Sequence, residues 1–171
     1  MFMNFLRNNV YASGILTVLR VYLGWKWLTG GWGKITGEPF NAGGYLNGAV
    51  NNPVMSGENL VYPTYVSFLE NIAIPNAGVF SVMVAWGEFL VGLGLILGIL
   101  TTAAAFFGVV MNFSFMFAGT ISTNPWMILI AMFVLAAGAN AGKFGGDRWV
   151  LPYIKQMVFK GNKGIVEKKV A

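Results

Sequence analysis

Four apolar segments dominate this chain, and each is close to the length that crosses a membrane. They run from about Val10 to Thr29, Ala77 to Leu100, Thr102 to Gly119 and Pro125 to Gly142. About 20 residues, rising 1.5 Å each, cover the roughly 30 Å of hydrocarbon in a bilayer. The runs lack the alternation and turn spacing of a membrane barrel. Only 10% of the 171 residues are charged and 56% are hydrophobic. A soluble domain carries about 25% charged residues, so lipid must solvate much of this chain. The expected fold is all-α: an integral membrane four-helix bundle over residues 1–152, then a basic tail over 153–171. The first segment reads as a retained helix rather than a signal peptide, because Arg20 and Lys26 interrupt it and no A-x-A site follows.

The connections are unequal. Segments two and three are separated by little more than Thr101-Thr102, and three and four by Thr120–Asn124, so these neighbours must pack antiparallel. The loop from about Gly30 to Asn76 is far longer and rich in Gly, Asn and Pro, with Lys34 set against Glu38, Glu58 and Glu70. Within it, Tyr65–Glu70 reads as a short interfacial helix ending before Ile74-Pro75. Seven of the eleven basic residues follow Ala141: Lys143, Arg148, Lys155, Lys160, Lys163, Lys168 and Lys169. That bias puts the tail in the cytoplasm of a cell-membrane protein; four spans then put the N-terminus there too and the long loop outside. It also makes the net charge of +5 a juxtamembrane contact with anionic lipid, not a nucleic-acid footprint. In the tail, Gly161-Asn162-Lys163-Gly164 reads as disordered.

The chain has no cysteine and no histidine. Disulfides, iron–sulfur clusters, zinc thiolates, histidine-held haem and a histidine base are thereby excluded. No metal or haem site is expected, and the nine methionines read as packing residues. Any redox function must use a bound organic molecule or a partner protein as electron carrier.

The informative residues are the polar ones inside apolar helices. A charge at mid-bilayer costs about 2.5–3.5 kcal/mol even on the lenient insertion scale. Counted from the helix ends, Arg20, Glu88 and Asn112 fall at nearly one level, and Arg20 is expected to pair with Glu88. Asn140 sits nearer the cytoplasmic end, with Lys143 and Asp147 on its helical face at i+3 and i+7. Gly24, Gly92 and Gly108 each stand four residues from one of these groups, allowing close helix approach or leaving room for a ligand. Two readings stay open: a structural clamp fixing helix register, or a site that binds a ligand and handles protons. Trp25, Trp27 and Trp32 form either an interfacial aromatic belt or a flat wall for a quinone ring. Lys26 and Lys34 at the same level are placed to attract an anion, unless Lys26 only snorkels.

These residues resemble a known family. Arg20-x3-Gly24-Trp25 with Gly30 or Gly31 and Lys34 is similar to the first-helix signature of the DoxX/DoxD family. Phe68-Leu69-Glu70-Asn71, Pro75-Asn76 and Gly87-Glu88-x3-Gly92-x2-Leu95-x2-Gly98 resemble its second. Met111-Asn112-Phe113, Ala118-Gly119 and Asn124-Pro125 resemble the third, and Ala141-Gly142-x3-Gly146-Asp147-Arg148-Trp149-x2-Pro152 the end of the DoxD branch. The resemblance spans about Arg20 to Pro152. It implies a four-helix membrane bundle and, for the DoxD branch, a subunit of thiosulfate:quinone oxidoreductase. On that reading Arg20, Glu88 and Asn112 are catalytic, with Glu88 passing a proton to a quinone and Asn112 donating a hydrogen bond. Lys34, Lys26, Asn140, Trp25 and Trp32 then bind the small sulfur anion and the quinone. Implied partners are membrane lipid, quinone, the sulfur anion and either a second redox subunit or a second copy. The alternatives are a non-catalytic anchor for soluble redox proteins and a small-solute transporter.

Overall fold

A computed structural model describes residues 1–37 and 40–167, with side chains through Met157. Glu38, Lys168 and Lys169 lie outside the described residues, as do the side chains of Lys160 and Lys163. Helices α1 (Phe2–Asn8) and α2 (Val10–Thr36) meet at Asn9, whose side chain accepts the amides of Tyr11 and Ala12. That is the N-cap arrangement that satisfies the first free N–H groups of a helix.

Helix α2 is 27 residues long and outruns its expected end at Thr29. Gly30, Gly31 and Gly33 suggested a loop, yet the helix passes through them. A helical glycine costs only about 1 kcal/mol relative to alanine, and Gly31 lies flat against the backbone of Phe89. Nor is the long connection that follows a coil. It folds into α3 (Ala42–Asn51), a hairpin of β1 (Met55–Ser56) and β2 (Asn59–Leu60), and α4 (Pro63–Phe68). A π-turn over Leu69–Ala73 extends α4, so a short helix forms where one is expected and reaches further than Glu70.

Helices α5 (Ala77–Leu97), α6 (Thr101–Phe117) and α7 (Asn124–Ala137) follow. Pro125 occupies the first turn of α7, where its missing N–H costs nothing. A 3-10 turn over Gly138–Gly142 ends α7, and α8 (Asp147–Glu167) closes the described chain. Its backbone is helical through Gly161–Gly164, which the sequence suggested to be disordered.

Helix α2 packs along α5, α5 on α6, α6 on α7, and α7 back on α2. Leu16, Leu23, Trp27, Val91, Leu95, Ala105, Ala131 and Val134 fill the space between them. Val18, Val82, Phe106, Phe107, Trp126 and Met132 point outward and are exposed. Soluble monomers rarely expose so many large apolar side chains together, and such surfaces mark membrane or protein contacts. By length and hydropathy, Ala77–Leu97 and Asn124–Gly142 are candidate spans, and Thr101–Phe117 is a shorter apolar helix.

A second core, built from Ala42, Leu46, Ala49, Leu69, Ala73 and Ala118, seats α3 and the 63–73 segment over the α6–α7 turn. Tyr65 Oη donates to the carbonyl of Ser114 at 2.9 Å, and the Tyr45 hydroxyl meets Thr120 Oγ1 at 3.0 Å. Burial pushes the Tyr65 phenol up to about 12. A phenol raised above its unfolded value of about 10 stabilises the fold below pH 10, and that contribution is lost between about pH 10 and 12. Difference titration at the tyrosinate band, wild type against Tyr65→Phe, is expected to assign the last phenol to ionise to Tyr65. Ionisation near pH 10 would show the cap to be open to water.

Candidate functional site

Glu88 stands on the buried face of α5 with Ala85, Val91, Gly92 and Leu95, and is 5% exposed. Lys34, near the end of α2, reaches it: Nζ lies 2.6 Å from Glu88 Oε2, with the lysine side chain 28% exposed. Gly30, one turn before Lys34, makes room, since a Cβ there would stand 3.1 Å from the carboxylate oxygen. This is the ion pair recorded among the described residues. It opens on one side to a cleft of about 200 Å³ lined by Lys34, Ile35, Phe40, Ser81, Val82 and Trp86.

The expected Arg20–Glu88 pair does not form. Arg20 is fully buried, and its Nη1 donates to the carbonyls of Leu95 at 2.5 Å and Ile96 at 3.1 Å. Gly24 lies against Gly92 and Ile96, so antiparallel register brings Arg20 to the last turn of α5, two turns from Glu88. The carbonyls there lack helical partners and carry the negative end of the helix dipole, which suits a guanidinium.

Asp147 completes this end from the other side. Its carboxylate accepts the amides of Leu100 at 2.6 Å and Thr101 at 3.1 Å, capping α6 from a distant part of the chain. The amides of Gly146 and Asp147 bond back to Leu97 and Gly98. The α5–α6 turn is thus held by a cation on its carbonyls and an anion on its amides. Asp147→Ala is expected to lower stability by about 1–3 kcal/mol, read as a lower unfolding midpoint in detergent. An unchanged midpoint would remove Asp147 from this account.

Asn112 is 0% exposed, and neither its Nδ2 nor its Oδ1 has a hydrogen-bond partner. Trp27 Nε1 is likewise buried and unpaired. Gly108 lies against Trp27 and Val91, and Gly87 against Met111. This register sets Asn112 level with Glu88 across the interior.

The other sequence-predicted residues are elsewhere. Trp25 and Trp32 point outward, as does Lys26, whose Nζ sits 5.9 Å from the Tyr22 ring centroid. Trp32 continues through Phe89 to Trp86 as an aromatic run along the outer α2–α5 seam, with ring centroids 5.9 Å apart at each step. Asn140 is buried at the opposite end, where Nδ2 donates to the carbonyls of Leu6 and Asn9 and fixes the α1–α2 elbow. Lys143 does not follow Asn140 on a helical face, because α7 ends at Gly138, with φ +58°, and only a 3-10 turn continues. Among the described residues, no group of His, Cys, Asp and Glu is placed to hold a metal.

The DoxX family model matches residues 15–121, which include Arg20, Lys34, Glu88 and Asn112. The chain belongs to the DoxX family. No curated protein and no solved structure matches it significantly. Membership makes this DoxX chain a membrane protein of a family linked to membrane redox functions, in agreement with its outward apolar faces. The match ends before Asn140 and Asp147, so the clamp on the α5–α6 turn that Asp147 completes draws on a segment beyond it.

Sequence reasoning names Lys34 as an anion-binding residue but sets it in a loop and gives Glu88 to Arg20, although the spacing of Lys34 from Gly30 is one helical turn. It misses two further participants. Trp27 was grouped with its exposed neighbours. Asp147 was read as part of a face, when an acid following two glycines is a frequent helix-start signal.

Proposed function

We propose that this DoxX protein is the membrane subunit of a redox complex, in which a quinone is reduced beside Lys34–Glu88 with electrons from a small sulfur anion of the thiosulfate class. Helices α2, α5, α6 and α7 cross the bilayer as a four-helix bundle. The 42–73 cap lies on the extracytoplasmic side, and the basic end with both termini faces the cytoplasm.

The observation that carries this reading is a buried ion pair level with an amide that has no partner. Unsatisfied buried polar groups cost about 1–3 kcal/mol each, and a ligand that bonds them removes that cost. A quinone has two carbonyl acceptors in a flat apolar ring, which suits the unpaired donors Asn112 Nδ2 and Trp27 Nε1. It supplies acceptance of two electrons and two protons, and the joining of two thiosulfates through a sulfur–sulfur bond releases two electrons.

Glu88 is the group placed to hold and hand over a proton. When an anion engages Lys34, Glu88 loses its cation, and a carboxylate in that setting takes up a proton rather than stay charged. Passing the proton on restores the pair. No step asks for a thiol or an imidazole.

A second reading, the non-catalytic anchor, is favoured by one observation. Arg20 is engaged by backbone carbonyls and Lys26 faces away, so among the described residues no cationic cluster beyond Lys34 gathers at Glu88 for a dianion. Thiosulfate-dependent quinone reduction by the purified chain in lipid nanodiscs tests both. The enzyme reading expects turnover that falls by about 10²–10⁴ in a folded Glu88→Gln variant. Turnover only with a co-purifying subunit supports the anchor, and solute flux without redox change would replace both readings.

A further inference from the structure

A cation-lined cavity lies at the Arg20 end, far from Lys34 and Glu88. It is a cleft of about 580 Å³ whose walls include Arg7, Lys143, Arg148 and Lys155. These cations come from α1, the 143–146 turn and α8, three stretches brought together only by the fold. Asp147 is the one acid in the lining, and both its oxygens accept backbone amides. Among the described residues, none of the four cations has a carboxylate within ion-pair distance.

A second cavity adjoins it. This groove of about 450 Å³ is walled by Leu100, Ala103, Phe106, Phe107 and Leu135, and shares Asp147 and Leu151 with the basic cleft. Charge on one side and hydrocarbon on the other call for a ligand with the same division. Beside them, α8 exposes Trp149, Tyr153 and Met157 at i, i+4 and i+8, a single apolar stripe that no described segment covers. A basic helix with such a stripe lies in the plane of a membrane surface, its rings among the headgroups.

We propose that the cleft and groove together form a binding site for one anionic phospholipid. The phosphate-bearing headgroup sits among Arg7, Lys143, Arg148 and Lys155, an acyl chain lies along Phe106, Phe107 and Leu135, and α8 rests on the same leaflet. Arg7 Nε is already bonded to the carbonyl of Ala136, which aims the rest of its guanidinium from a fixed base. A free phosphate would satisfy the cations and leave the groove unused; the shared wall favours the lipid.

The test uses the full chain in nanodiscs of equal phosphatidylglycerol and phosphatidylcholine, with retained lipid counted by native mass spectrometry. Wild type is expected to keep one phosphatidylglycerol in preference to phosphatidylcholine. Lys143→Gln/Lys155→Gln removes two exposed charges without touching a core contact, and is expected to weaken that preference by roughly thirtyfold. Lys160→Gln/Lys163→Gln is expected to leave it in place. The absence of native cysteine allows Tyr153→Cys to carry a polarity-sensitive fluorophore. Its emission is expected to shift to the blue in phosphatidylglycerol discs. Equal retention of the two lipids, a preference that follows 160 and 163 instead, or displacement of the lipid by millimolar inorganic phosphate would each overturn the site.

Discussion

Gly92→Leu is expected to prevent α2 and α5 from assembling and to leave little folded protein in detergent. The two helices touch backbone to backbone along a seam of glycines. A Cβ on Gly92 would collide with the amide nitrogen of Leu28 and stand 2.8 Å from the carbonyl of Gly24. One on Gly24 would stand 2.9 Å from the carbonyl of Gly92, and one on Gly31 would run into the backbone of Phe89. Backbone cannot rotate aside as a side-chain end can, so a larger residue forces the helices apart along their length. Forced overpacking costs about 1–3 kcal/mol where side chains can adjust, and more is expected where they cannot. Separation would also withdraw Arg20 from the α5 carbonyls and Lys34 from Glu88, since both bonds bridge this seam. Gly33 is the control: it is in the same helix with nothing near its Cβ position. Gly33→Ala is expected to be neutral or to stabilise by up to about 1 kcal/mol. The readouts are the monodisperse fraction on size exclusion and the thermal midpoint. A Gly92→Leu variant that elutes and melts like wild type would mean that the seam is not this tight.

How much of this was legible in the sequence depends on the kind of signal. Apolar length and glycine spacing are properties of one helix, and they located α5, α6 and α7 to within a few residues. Partners are properties of register. Arg20 and Glu88 were matched by depth, on the assumption that every helix begins at the membrane edge. The contacts of Gly24 with Gly92 set a register in which Arg20 meets a helix end and Lys34 meets Glu88. A lysine stem spans more than a helical turn, so depth counting at the level of Cα atoms cannot choose between them. Asn140 illustrates a second limit. A buried amide looks the same in sequence whether it holds a ligand or a chain elbow, and its bonds to Leu6 and Asn9 come from residues 131 or more positions away. Asn112, by contrast, was placed correctly at the level of Glu88, because both lie mid-helix and neither reaches far.

Removing Lys34 is expected to harm this protein more than neutralising Glu88, and the asymmetry separates structure from function. Lys34→Met leaves a carboxylate that is 5% exposed with no cation, and breaking a buried pair this way costs about 3–5 kcal/mol. Glu88→Gln leaves an ammonium on a flexible stem already 28% exposed, which can turn out toward the cleft beside Phe40 and Ser81. Its expected cost is smaller. The double variant Lys34→Met/Glu88→Leu carries neither charge and fills the space with apolar atoms, so its stability is expected to return to near wild type or above. Thermal midpoints in detergent give the order: Lys34→Met lowest, Glu88→Gln between, the double variant restored. Quinone reduction by the assembled complex is expected to be lost in all three, because stability and proton transfer ask different things of the same carboxylate. If the double variant regained both its midpoint and its redox activity, Lys34–Glu88 would be a structural clamp and the site would lie elsewhere.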